Sequence, residues 1–315
     1  MIYSTKKITS FLLASLVLIG SLIQTTQAQR PEPLAPDTDE IEVLPVQGSI
    51  HMIATGGSNI AVQTGEMGVL IVDAGNLEAS ENVLSAIRGL SNRPLSQLIN
   101  TTILPGHIAG NQILHPAGIG PPIVGMPIFG HTNGLTILAS SDLGSLLPYE
   151  FWPNSTFFGE DRTLNFNSEG IDMMHVPAAI TGGDIMVYFR DSDVLVTGPM
   201  FDITGYPKFR PELGGSLQGV IDGLNRIINI TIPEFNQQGG TLVIPGHGRI
   251  ASESDVVEYR DMVTIIRDRV QYMLDEGKSL DDVIAARPAL EYDGLYSGES
   301  WTTEMFLEAV YDELR

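Results

Sequence analysis

The chain contains no cysteine among its 315 residues, and only 17 Lys and Arg stand against 38 Asp and Glu. Without thiols there can be no disulfide, no lipid attached through a leader cysteine and no thiolate nucleophile. A formal charge of −21 at pH 7 repels nucleic-acid phosphates and anionic lipid head groups, so neither is expected as a partner. Long apolar runs are also missing. The longest candidate, residues 11–23, falls short of the ~20 residues that span a bilayer. No Gly-x-Ser-x-Gly elbow occurs, which removes the usual local sign of a serine hydrolase.

What is present begins with a leader pattern. Lys6 and Lys7 precede that apolar run, and Thr26-Gln27-Ala28 places small residues at the −3 and −1 positions. This reads as a signal peptide cut after Ala28, giving a periplasmic or secreted protein with no membrane span after cleavage. Residues 29–44 are rich in Pro and acid and read as a flexible lead-in. Residues 45–315 are long enough for one domain with a large core and are expected to form one. Cysteine-free and exported, it must rest on that core.

Short apolar runs at 49–55, 59–64 and 68–72 are separated by Gly56-Gly57 and Gly65-Glu66, which predicts three consecutive strands. The third ends in Asp73-Ala74-Gly75, and helical spacing follows at Val83, Leu84, Ile87 and Leu90. Strand, turn, helix and strand in that order indicate a βαβ unit. The Pro- and Gly-rich stretch 116–134 predicts little regular structure, with a helix near 135–147. Strand patterns return at 162–166, 171–176, 184–190 and 194–197. Apolar spacing of 3–4 residues predicts a helix over 217–230, then a buried strand at 241–244. A long amphipathic helix is expected over 253–274, capped by Ser252 or Ser254 and stopped by Gly277. A further start follows at Ser279 and a last helix at 302–314. Residues 69–73 and 194–198 echo one another, each closing a set of strands before a helix. This order suits an α/β protein whose two-layer β core carries helices on both outer faces.

One stretch lies at the strand–loop–helix junction where an open α/β sheet places its chemistry. It runs Asn100-Thr101-Thr102-Ile103-Leu104-Pro105-Gly106-His107-Ile108-Ala109-Gly110-Asn111. It resembles the metal-binding loop of the metallo-β-lactamase-fold hydrolases, whose pattern is Asn-Thr-His-x-His-x-Asp-His-x-Gly-Gly-Asn. Asn100, Thr101, His107, Gly110 and Asn111 match, while Thr102, Leu104 and Gly106 stand where the family has His, His and Asp. Further on, Pro177-Ala178-Ala179-Ile180-Thr181-Gly182-Gly183-Asp184 resembles a second family motif, with Ile180 at its His. Thr197-Gly198-Pro199-Met200-Phe201 resembles a third, with Pro199 at its Asp. Pro245-Gly246-His247-Gly248 matches a fourth intact. Likeness to exported bacterial members continues through residues 214–219, 258–262 and 301–306, so it covers roughly 45–314.

The resemblance implies a metallo-β-lactamase-like αβ/βα four-layer sandwich with two central sheets flanked by helices. In the family, two zinc ions hold a bridging hydroxide and polarise the scissile bond. Here the ligand positions Thr102, Leu104, Gly106, Ile180 and Pro199 are lost, and His107 and His247 are the residual metal candidates. Asp202, three residues past Pro199, could swing toward such a site. The expected reading is a degenerate site that no longer performs two-metal hydrolysis, with a small molecule or protein bound at the former cleft or a structural role there. The alternative is a residual hydrolase of a lactone, β-lactam or ester using one weak zinc site at His107 and His247. Asp73, Asp184, Asn100 and Asn111 are expected to support the loops. His51, His115, His131 and His175 fall outside the motif and read as surface or hydrogen-bonded histidines.

Overall fold

Near-continuous apolar runs, rather than alternation, give most strands here two buried faces, and β4 (Gly68–Val72) and β11 (Val194–Gly198) are buried at every position. A computed structural model describes residues 41–119, 125–232 and 240–315. The expected signal peptide and most of the lead-in lie outside these residues. The described residues all belong to the unit Pro33–Arg315.

Seven strands form the first sheet in sequential order. They are β1 (Glu42–Gln47), β2 (Ile50–Ala54), β3 (Asn59–Gly65), β4, β5 (Leu95–Ile99), β6 (Ile128–His131) and β7 (Ser155–Phe157). β1 to β4 pair antiparallel, and β4 to β7 pair parallel. The second sheet holds β8 (Asp161–Phe166), β9 (Glu169–His175), β10 (Ile185–Phe189), β11 and β12 (Leu242–Pro245), in the order β12-β11-β10-β9-β8. It too is antiparallel until its last pair, β11 with β12. The echo in the sequence is therefore topological: β4 and β11 each end an antiparallel run and start a parallel pairing. Their crossovers carry α1 (Ser80–Leu90) and α6 (Leu217–Thr231) respectively.

Leu70, Val72, Ile99 and Phe129 of the first sheet pack with Ile171, Val187, Val196 and Ile244 of the second, forming the central core. On the far face of the first sheet, Val69, Ile71 and Leu98 meet Val83 and Ile87 of α1. On the far face of the second, Met186, Leu195 and Val243 meet α6, α7 (Glu253–Asp275) and α10 (Thr303–Leu314). The layers run helix, sheet, sheet, helix. α6 shows why: Leu217, Val220, Ile221, Leu224 and Ile227 fall on one face and are all buried. Burying each stabilises by about 1.5–3 kcal/mol. Ser216 caps it by accepting the Gly219 N–H. Ser252 starts α7, its N–H bonded to Asp255, and Ser279 caps α8 (Leu280–Ala286) through Asp282. No described helix is long and apolar enough to cross a membrane.

Three expectations need correction. β1 begins at Glu42, inside the stretch read as flexible lead-in, because Val43 and its neighbours pair with β2. The stretch 116–134 holds β6 and the first turn of α4 (Thr132–Ser140), although 120–124 lie outside the described residues. β6 is too short to show a period and is made a strand by its two parallel neighbours. The helix expected over 135–147 is broken at Ser141, whose extended backbone separates α4 from α5 (Asp142–Leu146). Gly144 explains the break: a Cβ there would stand 1.6 Å from the Leu138 carbonyl oxygen, so α5 folds back against α4.

Candidate functional site

The ends of β4, β5, β10, β11 and β12 deliver the loops named by the motif to one region. β4 ends at Asp73, whose positive φ of 63° turns the chain sharply. Its Oδ1 accepts the Thr101 N–H at 2.7 Å, and its Oδ2 accepts the Thr101 hydroxyl at 2.6 Å. The same Oδ2 lies 2.9 Å from His107 Nδ1. His107 sits on the short helix α2 (Pro105–Ile108), and its carbonyl accepts the N–H groups of Ala74 and Gly75. Main chain and side chain of His107 are thus both tied to the Asp73 turn. Since Nδ1 faces a carboxylate it carries the proton, which leaves Nε2 as an acceptor in the neutral ring. Nε2 is buried and has no hydrogen-bond partner among the described residues.

His247 enters from the loop after β12. Its Nε2 lies 2.7 Å from the Gly57 carbonyl oxygen, and its Nδ1 lies 3.1 Å from Asp202 Oδ2. A carbonyl demands an N–H at Nε2, and a carboxylate favours one at Nδ1. Burial pulls the His247 pKa down, but the Asp202 carboxylate, then the Gly57 carbonyl and Asp73, outweigh it and hold it above the ordinary value. Burial likewise opposes ionisation of Asp202, yet His247 and Thr204 bring it below the usual carboxylate range. Both shifts favour the charged forms across the His247–Asp202 contact. Asp202 Oδ1 accepts the N–H and hydroxyl of Thr204. The rings of His107 and His247 meet edge to face, with centroids 5.6 Å apart.

These histidines line a cavity of about 480 Å³ together with Leu104, Gly106, Ile180, Pro199 and Asp202. Four of the five positions where the family has a ligand and this chain does not therefore share one cavity wall. Thr102, the fifth, is elsewhere: buried, with its hydroxyl donating to Asp184 Oδ1 at 2.8 Å. Asp184 also accepts the Thr181 N–H at 2.6 Å and the Thr181 hydroxyl at 2.7 Å. Burial nonetheless pushes its carboxyl up to about 6. Asn100 and Asn111 form a reciprocal amide pair at 2.8 and 3.2 Å, and Asn111 also reaches the Phe151 carbonyl at 2.7 Å. Among the described residues, no group of three or more His, Cys, Asp or Glu side chains is placed to hold one metal ion.

Sequence reading missed part of the wall. Gly57, Tyr206, Lys208, Arg210, Tyr296 and Trp301 also line the cavity, and they come from segments far apart in the chain with no local motif. Asp202, named in the sequence as a side chain that could swing toward such a site, stands against His247 on the cavity wall. His131 and His175 form a stacked pair, ring centroids 3.6 Å apart, and do not line the cavity.

No family model and no curated protein sequence matches the chain. Solved structures do. The stereoselective inverting sec-alkylsulfatase from Pseudomonas sp. superposes with a TM-score of 0.63 at 12% identity, over 86% of this chain and 50% of that one. A double mutant of a sec-alkyl sulfatase gives 0.66 at 12% identity, with the same coverage. The metallo-β-lactamase from Pontibacter korlensis gives 0.57 at 15% identity, over 71% of this chain and 99% of that one. The chain spans about half the length of the sulfatases and nearly all of the lactamase. Two mixed sheets between helical layers, with these neighbours, give the chain the metallo-β-lactamase fold.

Proposed function

We propose that this protein is exported and keeps the metallo-β-lactamase framework without two-metal hydrolysis, using the cavity to bind a small molecule. The observation that carries the reading is the donor set around His107 and His247: the His247 ring turns Nε2 to the Gly57 carbonyl and Nδ1 to Asp202, and among the described residues no three His, Cys, Asp or Glu side chains are placed to hold one ion. The rest of the wall supports it. Leu104, Ile180 and Pro199 offer no donor atom at all, and the Asp73 carboxylate is spent on Thr101 and His107. A catalytic zinc takes three protein ligands and a two-metal site takes more, so these residues do not fit such a centre. Fold alone does not carry the neighbours' chemistry across.

The test is metal analysis of full-length protein purified in zinc-supplemented buffer and then dialysed. We expect well under one zinc per chain; two tightly held zinc ions per chain would overturn the reading. His107 Nε2, buried without a partner, favours a second reading, in which one weakly held zinc supports residual hydrolysis of a lactone, β-lactam or ester. That reading requires turnover to appear with added zinc or manganese and to vanish in His247→Ala. We expect no turnover with either ion.

A further inference from the structure

Hydrogen-bonding groups left without partners in a folded interior point to what is meant to meet them. Four of the nine such buried atoms among the described residues belong to side chains lining this one cavity: His107 Nε2, Tyr206 Oη, His247 Nδ1 and Trp301 Nε1. His247 Nδ1 has its carboxylate neighbour, Asp202. Of the other three, His107 Nε2 can accept in the neutral ring, the Trp301 indole can only donate, and the Tyr206 hydroxyl, which faces Thr303 and is pushed up to about 12 by burial, stays a neutral phenol.

Two cations stand on the same wall. Lys208 Nζ lies over the Trp301 ring, 5.4 Å from its centroid, and among the described residues no Asp or Glu pairs with it. Arg210 is paired with Glu212 through Nε at 2.6 Å, and among the described residues its two terminal nitrogens make no hydrogen bond. In a chain where acids outnumber bases 38 to 17, a lysine beside a cavity with no carboxylate partner is notable. The single carboxylate on the wall, Asp202, is used by His247 and Thr204. Besides the His107 Nε2 acceptor and the hydroxyls of the wall, the charged groups left to meet a ligand are thus cations, set against apolar side chains of Leu104, Ile180 and Pro199.

We infer that the cavity binds an organic anion, its acidic head group on Lys208 and Arg210 beside the Trp301 ring and its apolar body over Leu104, Ile180 and Pro199. This rests on the reading that the cavity is a small-molecule site. A volume near 480 Å³ suits an acyl chain or a small ring system. Carboxylate and sulfate head groups share the needed chemistry and are separated by experiment.

The test is titration of the full-length Trp152→Phe protein in EDTA with octanoate, octyl sulfate, 1-octanol and octylammonium, following Trp301 emission. Calorimetry on the unaltered protein runs alongside. Charge-assisted hydrogen bonds from Lys208 and Arg210 are expected to give at least about tenfold tighter binding of an octyl anion than of octanol. Octylammonium is expected to bind weakest. Lys208→Met should bring the anion down to the level of octanol, and Lys208→Arg should keep the preference. Octanoate and octyl sulfate then rank the two head groups. Octanol binding as tightly as both anions, or Lys208→Met leaving the preference intact, overturns the anion assignment while leaving a small-molecule cavity. No binding by any of the four overturns the assignment and the small-molecule reading together. Stoichiometric zinc in the separate metal analysis would strike that earlier reading alone.

Discussion

Asp184 lies 2% exposed at the head of β10, and burial pushes its carboxyl up to about 6 against hydrogen bonds from Thr181 and Thr102. An unfolded aspartate titrates near 3.9, so the gap of about two units corresponds to roughly 3 kcal/mol. Between those values the folded chain binds more protons here than the unfolded chain. This contribution to stability is therefore fully present below about pH 4 and lost as the pH rises through about 6. Asp184→Asn removes the titration yet leaves an oxygen for the Thr181 N–H and an amide for the two hydroxyls. Urea denaturation from pH 4 to 7 should show a flatter slope in this variant, which at pH 7 is as stable as the unaltered protein or more so. An unchanged slope would place the effect elsewhere. Asp184→Ala instead strands the Thr181 N–H in the interior, at a cost of about 1–3 kcal/mol at any pH. Positions such as Asp184, Thr102 and Ile180 could be found in the sequence because the loop motifs are local. Of the partners of His247, the sequence offers Asp202 only for its nearness to Pro199, and Gly57 not at all. Gly57 comes from the turn between β2 and β3 and Asp202 from the loop after β11, and no spacing rule links either to His247.

α4 starts from a histidine cap. His131 Nδ1 accepts the Asn133 N–H at 3.3 Å, so its proton sits on Nε2, which donates to the Gly159 carbonyl at 3.1 Å. Its ring stacks on His175, which is tied to the Gly182 carbonyl by Nε2 and whose own carbonyl accepts from Arg226. Burial lowers the pKa of both histidines. For His131 the charge on His175 adds to the effect, and for His175 Arg226 does. Protonating His131 would set a donor against the Asn133 N–H and remove the cap. Folded values below the unfolded ~6.5 mean stability that is present above about pH 6.5 and lost as the pH falls. This runs opposite to Asp184, so each needs its own variant. His131→Asn keeps a capping oxygen without the titration, and its melting temperature should fall less between pH 7 and 5 than that of the unaltered protein. His131→Ala should cost about 1 kcal/mol at pH 7 through loss of the cap. Equal acid sensitivity in His131→Asn would count against the stacked pair. Elements differ in how readily sequence reveals them. α6 and α7 repeat their apolar spacing over several turns, while β6 has four residues amid Pro and Gly and owes its form to β5 and β7.

At the scale of the whole molecule, two sheets share one central core, but near the cavity they are joined by hydrogen bonds at their ends. Asn59 of β3 is the main joint. Its N–H donates to the Gly246 carbonyl at 2.8 Å, and its amide donates to the carbonyls of Pro245 at 3.0 Å and Gly248 at 2.9 Å. One side chain of the first sheet thus holds the loop of the second that carries His247. Asn59→Ala leaves two carbonyls without donors, at about 1–3 kcal/mol for each that stays buried. Leu224→Ala, in the core between α6 and the second sheet, should cost a comparable 2–5 kcal/mol by opening a cavity while leaving the hydrogen bonds of Asn59 in place. Comparing the two separates global stability from local order. At a temperature well below both melting points, octanoate affinity should drop in Asn59→Ala and hold in Leu224→Ala. Amide exchange at residues 246–248 should quicken in the first variant alone. If both variants lose affinity equally, general loosening governs the cavity, and the Asn59 joint has no special part in holding it. The sequence marks Asn59 only as the first residue of a strand after a glycine pair. Its long-range partners exist because the start of β3 lies beside the end of β12, a relation set by the packing of the sheets.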